Sequence, residues 1–301
     1  MRGMPRTDAP LVVLGPGAIG GLVAALLERA GHPVTVVGRA GSVAQVAAHG
    51  IAVESDLVGS WTAQPAAAAQ VPHGACVIVA VKAEGLEAAA ALLAAAAPAE
   101  VLSLLNGVEH LDALRAALPG TRVVAGTIAG ETLRTSAGRD GPLTVRHRGR
   151  LLRVVAPADA AGLASVRALR DTAADVVVDG TQAQVLWLKL RFLAPMALLT
   201  SRWDAGLGEA LDRDPAGAQA LLAEVAAVAS AEGVPTTAQD LHAILAGLPP
   251  TMRSSLQADV EAGRAGELDA IGGAVQRRGR SHGVATPALD TTIAAVEARL
   301  R

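Results

Sequence analysis

The 301-residue chain has no tyrosine, one phenylalanine and three tryptophans. So few aromatic rings cannot stack successive bases, and a formal net charge of -2 gives no surplus of cations to neutralise a phosphate backbone. Nucleic acid is therefore not an expected partner. The single cysteine, Cys76, cannot form an internal disulfide; set in an apolar run, it reads as a small core residue in a reducing compartment. The longest apolar stretch, Ala88 to Ala99, is mostly alanine and interrupted at Pro98, too short and too weakly hydrophobic to cross a bilayer. Met1 to Pro10 carries two arginines but no apolar core of a signal peptide, so a cytoplasmic protein without a membrane partner is expected. Neither HExxH nor CxxC spacing occurs, and no metal is expected.

Two other scarcities are more informative. Of 26 basic residues only Lys82 and Lys189 are lysine, and Asn106 is the only asparagine. Lysine and asparagine use A-rich codons, and the rare Phe and Tyr use T-rich or A/T-rich ones, which suggests a GC-rich genome that replaces such residues wherever replacement is harmless. The survivors mark positions where arginine or aspartate does not serve.

What is present is hydrophobic enough, at 51%, for two ordinary domains with real cores. Short β-rich runs alternate with alanine-rich helical ones through the first half. Strands are predicted at Leu11–Leu14, Val34–Val37, Cys76–Val81, Val101–Leu104, Arg122–Ala125, Thr144–His147, Leu151–Val155 and Val176–Val178, with a helix over Ile19–Ala30. The alanine tracts Ala66–Ala69 and Ala94–Ala97 read as helix filler. From Gln182 apolar residues recur at helical spacing to Glu297. The expectation is an α/β fold: a Rossmann-type doubly wound sheet over residues 1–180, then an all-helical domain over 181–301 that could support a homodimer.

The loop Gly15-Pro16-Gly17-Ala18-Ile19-Gly20 follows an apolar strand and opens a helix. A dinucleotide site needs glycine first for the tight turn, second for close approach of the pyrophosphate, and third for packing of helix on sheet. After the second strand the sequence reads Val36-Val37-Gly38-Arg39, with no carboxylate to hold ribose hydroxyls. Arg39 suits a 2′-phosphate instead, which points to NADPH/NADP rather than NAD. Lys82 lies just beyond one strand and Asn106 beyond the next, at the carboxyl ends where ligands of open α/β sheets bind.

With Trp187-Leu188-Lys189-Leu190, and with Ser255 twelve residues before Glu267, these features resemble the ketopantoate reductase family from the first strand to about Pro287. The resemblance implies NADPH-dependent reduction of a 2-oxo acid, as in the reduction of ketopantoate to pantoate for pantothenate biosynthesis. It implies that the helical domain over 181–301 carries substrate and catalysis, with Lys189 as the catalytic lysine, Lys82 as a cofactor contact and Asn106 as the strand-end asparagine. Ser255 falls at the substrate-touching serine, and Glu267 at the glutamate near the nicotinamide. Lysine can donate a proton and return to the neutral amine, which arginine cannot, so Lys189 is the expected general acid, with Asn106 and Glu267 beside it. The chain departs from the family at four places, one of them near Leu207, where a further family asparagine aligns. Leu193 and Ala197 replace asparagines four and eight residues after the lysine, and Gly266 replaces the threonine before the glutamate. Spacing of four and eight keeps Leu193 and Ala197 on the face of Lys189, so part of the expected pocket wall is apolar. A reductase of another ketone or imine in specialised metabolism, and a noncatalytic NADPH-binding sensor, are the alternatives; the sensor needs no proton donor. Pro195 predicts either a bend in the lysine helix or its end.

Overall fold

A computed structural model of the chain describes residues 9–136 and 141–301; most of the Met1–Pro10 segment lies outside the described residues. The chain forms two compact units, one of residues up to Leu105 with His110–Gln182, the other of Asn106–Glu109 with Ala183–Arg301.

The first unit runs β1 (Leu11–Leu14), α1 (Ala18–Arg29), β2 (Val34–Val37), α2 (Ala40–His49), β3 (Ile51–Ser55), β4 (Gly59–Ala63), β5 (Ala66–Ala68) and β6 (Cys76–Val79). It continues with α3 (Leu86–Ala96), β7 (Glu100–Ser103), α4 (His110–Ala117), β8 (Arg122–Ala125), β9 (Thr127–Ser136), β10 (Leu143–Ala156), α5 (Ala164–Arg170) and β11 (Asp175–Val178). Six strands form an all-parallel sheet in the order β5-β2-β1-β6-β7-β8. The order reverses between β1 and β6, so the topological switch point lies directly at the glycine loop that follows β1.

A second sheet, which the sequence pattern does not predict, has the order β11-β10-β3-β4, with β9 antiparallel to β10. The two expected strands at Thr144–His147 and Leu151–Val155 are one 14-residue strand, β10. Its first half pairs with β3 and its last four residues with β11. The Ala66–Ala69 tract is also corrected: Ala66–Ala68 is an edge strand against β2, because its backbone completes the ladder of Thr35 to Val37, and this outweighs the helix preference of alanine.

Helix α1 explains why two sheets form one unit. Every residue from Gly20 to Leu27 is buried, and α1 touches β1 and β2 of one sheet and β3, β4, β9 and β10 of the other. A helix covered on all sides must be apolar all round, as AIGGLVAALL is. Gly21 permits the close approach, since a Cβ there would lie 2.9 Å from a Val145 methyl.

The second unit is helical: α6 (Gln182–Trp203), α7 (Leu207–Asp212), α8 (Pro215–Ala231), α9 (Ala238–Ala246), α10 (Ser255–Glu261), a π-helical turn (Asp269–Gly273), α11 (Ala274–Ser281) and α12 (Pro287–Ala298). Its helix starts follow sequence signals: Asp214 caps α8 with Pro215 in the first turn, Thr237 and Asp240 form a capping box on α9, and Ser254 caps α10. Pro195 does not end the lysine helix, which continues to Trp203. This helix is long and apolar enough by composition to span a bilayer, but 61% of its most apolar window is buried within the protein, as expected of a core helix.

The three loop glycines have separable duties. A Cβ on Gly20 would overlap the Gly15 carbonyl oxygen, whereas one on Gly17 would meet no protein atom within 4 Å. Gly20→Ala is therefore expected to destabilise the fold by about 1–3 kcal/mol. Gly17→Ala is expected to stay within about 0.5 kcal/mol of the parent. Urea denaturation of the two variants measures both.

Candidate active site

In the first unit the chain leaves β1 through Gly15, whose φ of +100° is open to glycine alone and whose absent Cβ leaves room for Val81. The Gly15 N–H donates to Val37 O at 2.8 Å and the Gly17 N–H to Gly15 O at 2.8 Å, which pins the turn against the end of β2. Pro16 packs on Gly38, where a Cβ would come within 2.5 Å of the proline ring. The protein's own packing thus accounts for Gly15 and Gly20. Gly17 is bare for another reason, and open space at the start of a helix suits a dinucleotide phosphate.

Arg39 stands exposed at the start of α2. A second arginine, unmarked in the sequence, joins it from β9. Arg134 donates from Nη1 to Pro16 O at 3.2 Å, with Nη2 3.5 Å from the Ser42 hydroxyl. The guanidinium of Arg134 is held below its usual pKa, first by burial and then by the positive charge of Arg39. Among the described residues neither arginine has a carboxylate in ion-pair contact. Two like charges beside a glycine loop give the region a positive potential that could hold an anion. Lys82 is exposed at the entry to the short turn Ala83–Gly85 after β6.

The second unit holds Lys189, Asn106 and Glu267 together. Lys189 Nζ donates to Asn106 Oδ1 at 2.8 Å, and Asn106 Nδ2 donates to Glu267 Oε2 at 2.8 Å. Chemistry fixes the orientation of the amide: an ammonium only donates and a carboxylate only accepts, so the oxygen must face Lys189 and the nitrogen Glu267. Aspartate could not take this place, because it has no N–H to offer Glu267. Burial pushes the Lys189 pKa down to about 8, and the charge of Glu267 opposes part of that fall.

Each partner is positioned by its neighbours. Trp187, 1% exposed, donates its indole N–H to Glu232 at 3.1 Å, and Arg191 donates to Thr236 at 2.8 Å; together they fix the rotation of α6 around Lys189. Gly107, with φ +88°, lets the Asn106 loop lie against the π-helical turn, where a Cβ would overlap Ala270 O. Gly266, with φ +53°, sits where a Cβ would come 2.7 Å from the Asp259 carboxylate, so a larger residue before Glu267 would be strained and would have to displace Asp259. A π-helical turn directly after Glu267 is a feature often found at functional sites.

The other expected residues lie outside this hydrogen-bonded chain. Ser255 is exposed in the first turn of α10, while its neighbour Ser254 is buried, caps the helix and bonds the Thr200 hydroxyl at 2.9 Å. Leu193 is half-buried, one turn beyond Lys189. Ala197 is 1% exposed and its carbonyl accepts from Thr200, which places it in the packed interior. Of the two apolar replacements, only Leu193 keeps accessible surface.

A family model described as "Ketopantoate reductase PanE/ApbA" matches residues 11–159, and its C-terminal counterpart matches residues 182–300. A 2-dehydropantoate 2-reductase of Caulobacter vibrioides is 31% identical over 96% of this chain and 98% of its own length. The crystal structure of a PanE/ApbA family ketopantoate reductase from Ralstonia eutropha JMP134 is 28% identical, with a TM-score of 0.84 over 97% of this chain and 98% of that one. The same fold, at 23% identity and a TM-score of 0.80, over 96% of this chain and 98% of that one, occurs in a D-mandelate dehydrogenase solved with NADH and anilino(oxo)acetate. Matched in both halves and nearly end to end, the chain belongs to the ketopantoate reductase family and is a nicotinamide-dependent oxidoreductase acting on a carbonyl group.

Proposed function

We propose that the protein reduces a small 2-oxo acid with NADPH, with Lys189 as the proton donor. The observation that carries this reading is the Lys189–Asn106–Glu267 hydrogen-bonded chain, with its lysine at a pKa of about 8. Bound NADPH supplies the hydride. Reduction builds negative charge on the carbonyl oxygen, and a charged ammonium neutralises that charge and then gives up a proton. A lysine near 8 does this more readily than one at 10.5, because it is protonated at neutral pH yet releases its proton at lower cost. Asn106 holds the ammonium at its oxygen, and Glu267 fixes the amide by accepting from its nitrogen.

For the cofactor, the bare Gly17 and the Arg39, Arg134 and Ser42 group fit a dinucleotide whose ribose carries an extra phosphate. Guanidinium forks match phosphate oxygens, and no acidic residue follows β2 to hold free ribose hydroxyls. Ketopantoate is the substrate named for the relatives, and we extend it to this chain as the first 2-oxo acid to test. Leu193 favours a second reading, a substrate less polar than ketopantoate next to the lysine helix. Ser255 is the group proposed to donate to the substrate carboxylate.

These assignments give distinct outcomes. NADPH is expected to bind more tightly than NADH, and Arg39→Ala or Arg134→Ala to weaken NADPH roughly ten-fold or more, as loss of a charge-assisted hydrogen bond predicts, with NADH barely affected. Fluorescence titration measures this, and a preference for NADH would refute the arginine assignment. Gly17→Ala, stable by the reasoning above, is expected to lose affinity for both.

The rate of reduction should fall as pH rises through about 8, because the donor form of Lys189 is the protonated one; oxidation of the corresponding alcohol should rise through the same range. Lys189→Ala is expected to lower the turnover number by about 10²–10⁴-fold and to remove this limb, read by NADPH absorbance across pH. Turnover that is flat between pH 7 and 9 in the parent would contradict the general-acid role. In a panel of 2-oxo acids, Leu193→Asn should shift preference toward the more polar members.

A further inference from the structure

Arg277, on α11, donates to two carboxylates near the Lys189 chain, neither of them that of Glu267. Its Nε donates to Glu109 Oε1 at 2.9 Å and Oε2 at 3.1 Å, and its Nη2 donates to Glu109 Oε2 at 2.7 Å. On the other side Nη1 donates to Asp269 Oδ1 at 2.7 Å and Nη2 to Asp269 Oδ2 at 3.0 Å. The two carboxylates are not incidental. Glu109 ends the short segment that begins at Asn106, and Asp269 lies two residues after Glu267.

The contacts therefore close a ring. It runs from Asn106 along the loop to Glu109, through the guanidinium to Asp269, back along the chain to Glu267, and from Glu267 to the Asn106 amide. We propose that Arg277 is a positioning residue for the reaction: its planar fork ties the Asn106 loop to the Glu267 turn and so holds the amide between Lys189 and Glu267. This rests on the reductase reading of the site for its kinetic consequence, but not for its structural one.

Two observations favour positioning over simple stabilisation. The side chains of Arg277 and Asp269 are 40% and 81% exposed, and ion pairs so open to water contribute little to folding. The geometry, by contrast, is the kind only arginine provides, with two carboxylates gripped by one rigid group. The Asn106 loop also needs an external tie. Its Gly107 gives it a conformation with positive φ, and the loop presses on Ala270 O, within the turn that Asp269 opens. Without Arg277, Glu109 and Asp269 would face each other as like charges, and the loop would move away from the turn.

The two-lysine composition makes a direct test available. With ¹³C-lysine labelling the chain gives two side-chain Cε signals, from Lys82 and Lys189, distinguished by a Lys82→Arg variant. The titration of each is followed by NMR in the parent and Arg277→Gln, beside turnover with NADPH and a 2-oxo acid in the parent, Arg277→Gln and Arg277→Lys, the last of which adds a third lysine signal and is read by turnover alone. In Arg277→Gln the Lys189 pKa is expected to rise from about 8 by roughly half a unit or more, as a released loop admits water and relieves the burial that depresses it, while Lys82 is unmoved. The turnover number should fall roughly 10- to 100-fold, as a misplacement on the order of 1 Å predicts, with the KM for NADPH within about two-fold of the parent. Arg277→Lys keeps the charge but loses the fork and should fall between the two. A Lys189 titration and a turnover number unchanged in folded Arg277→Gln would overturn the proposal, as would loss of thermal stability alone in both variants. A shifted Lys189 pKa in a parent that reduces no 2-oxo acid would retain the positioning role and overturn the reductase reading instead.

Discussion

The second unit is organised around one side-chain amide. Asn106 has to accept from an ammonium and donate to a carboxylate at once, over 2.8 Å on each side. Glutamine carries the same groups on a stem one carbon longer, and aspartate lacks the donor. The surrounding structure serves this requirement. Gly107 bends the loop against the π-helical turn, Gly266 makes room for Asp259 before Glu267, and Trp187 fixes the rotation of α6. Burial then lowers the lysine pKa while Glu267 keeps it from falling further. The opposed effects leave a group that is charged at neutral pH and close to releasing its proton.

The glycine loop in the first unit meets a different constraint. Two of its glycines are demanded by contacts within the protein, one against Val81 and one against the Gly15 carbonyl. A Cβ on Gly17, by contrast, would meet no protein atom within 4 Å. The neighbouring arginines arise from separate elements, Arg39 at the start of α2 and Arg134 on β9, so the second sheet contributes directly to the region around the loop. Helix α1, buried between the two sheets, is what brings β9 and β10 to the side of the dinucleotide fold.

Much of this was legible in the sequence, for physical reasons that differ from residue to residue. Lys189 and Asn106 stood out because lysine and asparagine are scarce here, and the structure joins them. The parallel strands were legible from their valine-rich runs and the glycine loop from its spacing. The second sheet was less so: β4 reads Gly-Ser-Trp-Thr-Ala and β5 is three alanines, segments made into strands by their neighbours rather than by their own preference. Arg134 and Arg277 were hidden among 24 arginines, since their contacts depend on a β-pairing and on a loop returning to a distant turn. Ala197 shows the limit of helical spacing, which places a residue on a face of α6 but does not tell how deeply that face is buried.

On the proposed function, this chain keeps a lysine at position 189 because the reaction needs a proton that can leave. Lys189→Arg isolates that property, because it retains the positive charge and the ability to donate to Asn106 while removing the capacity to deprotonate. Single-turnover reduction of a 2-oxo acid by the NADPH-bound variant, at pH 7 and with binding saturated, measures the chemical step alone. A rate at least about 100-fold below the parent is expected if Lys189 is the proton donor. A rate equal to the parent's would contradict it and leave charge, rather than proton donation, as the role of Lys189.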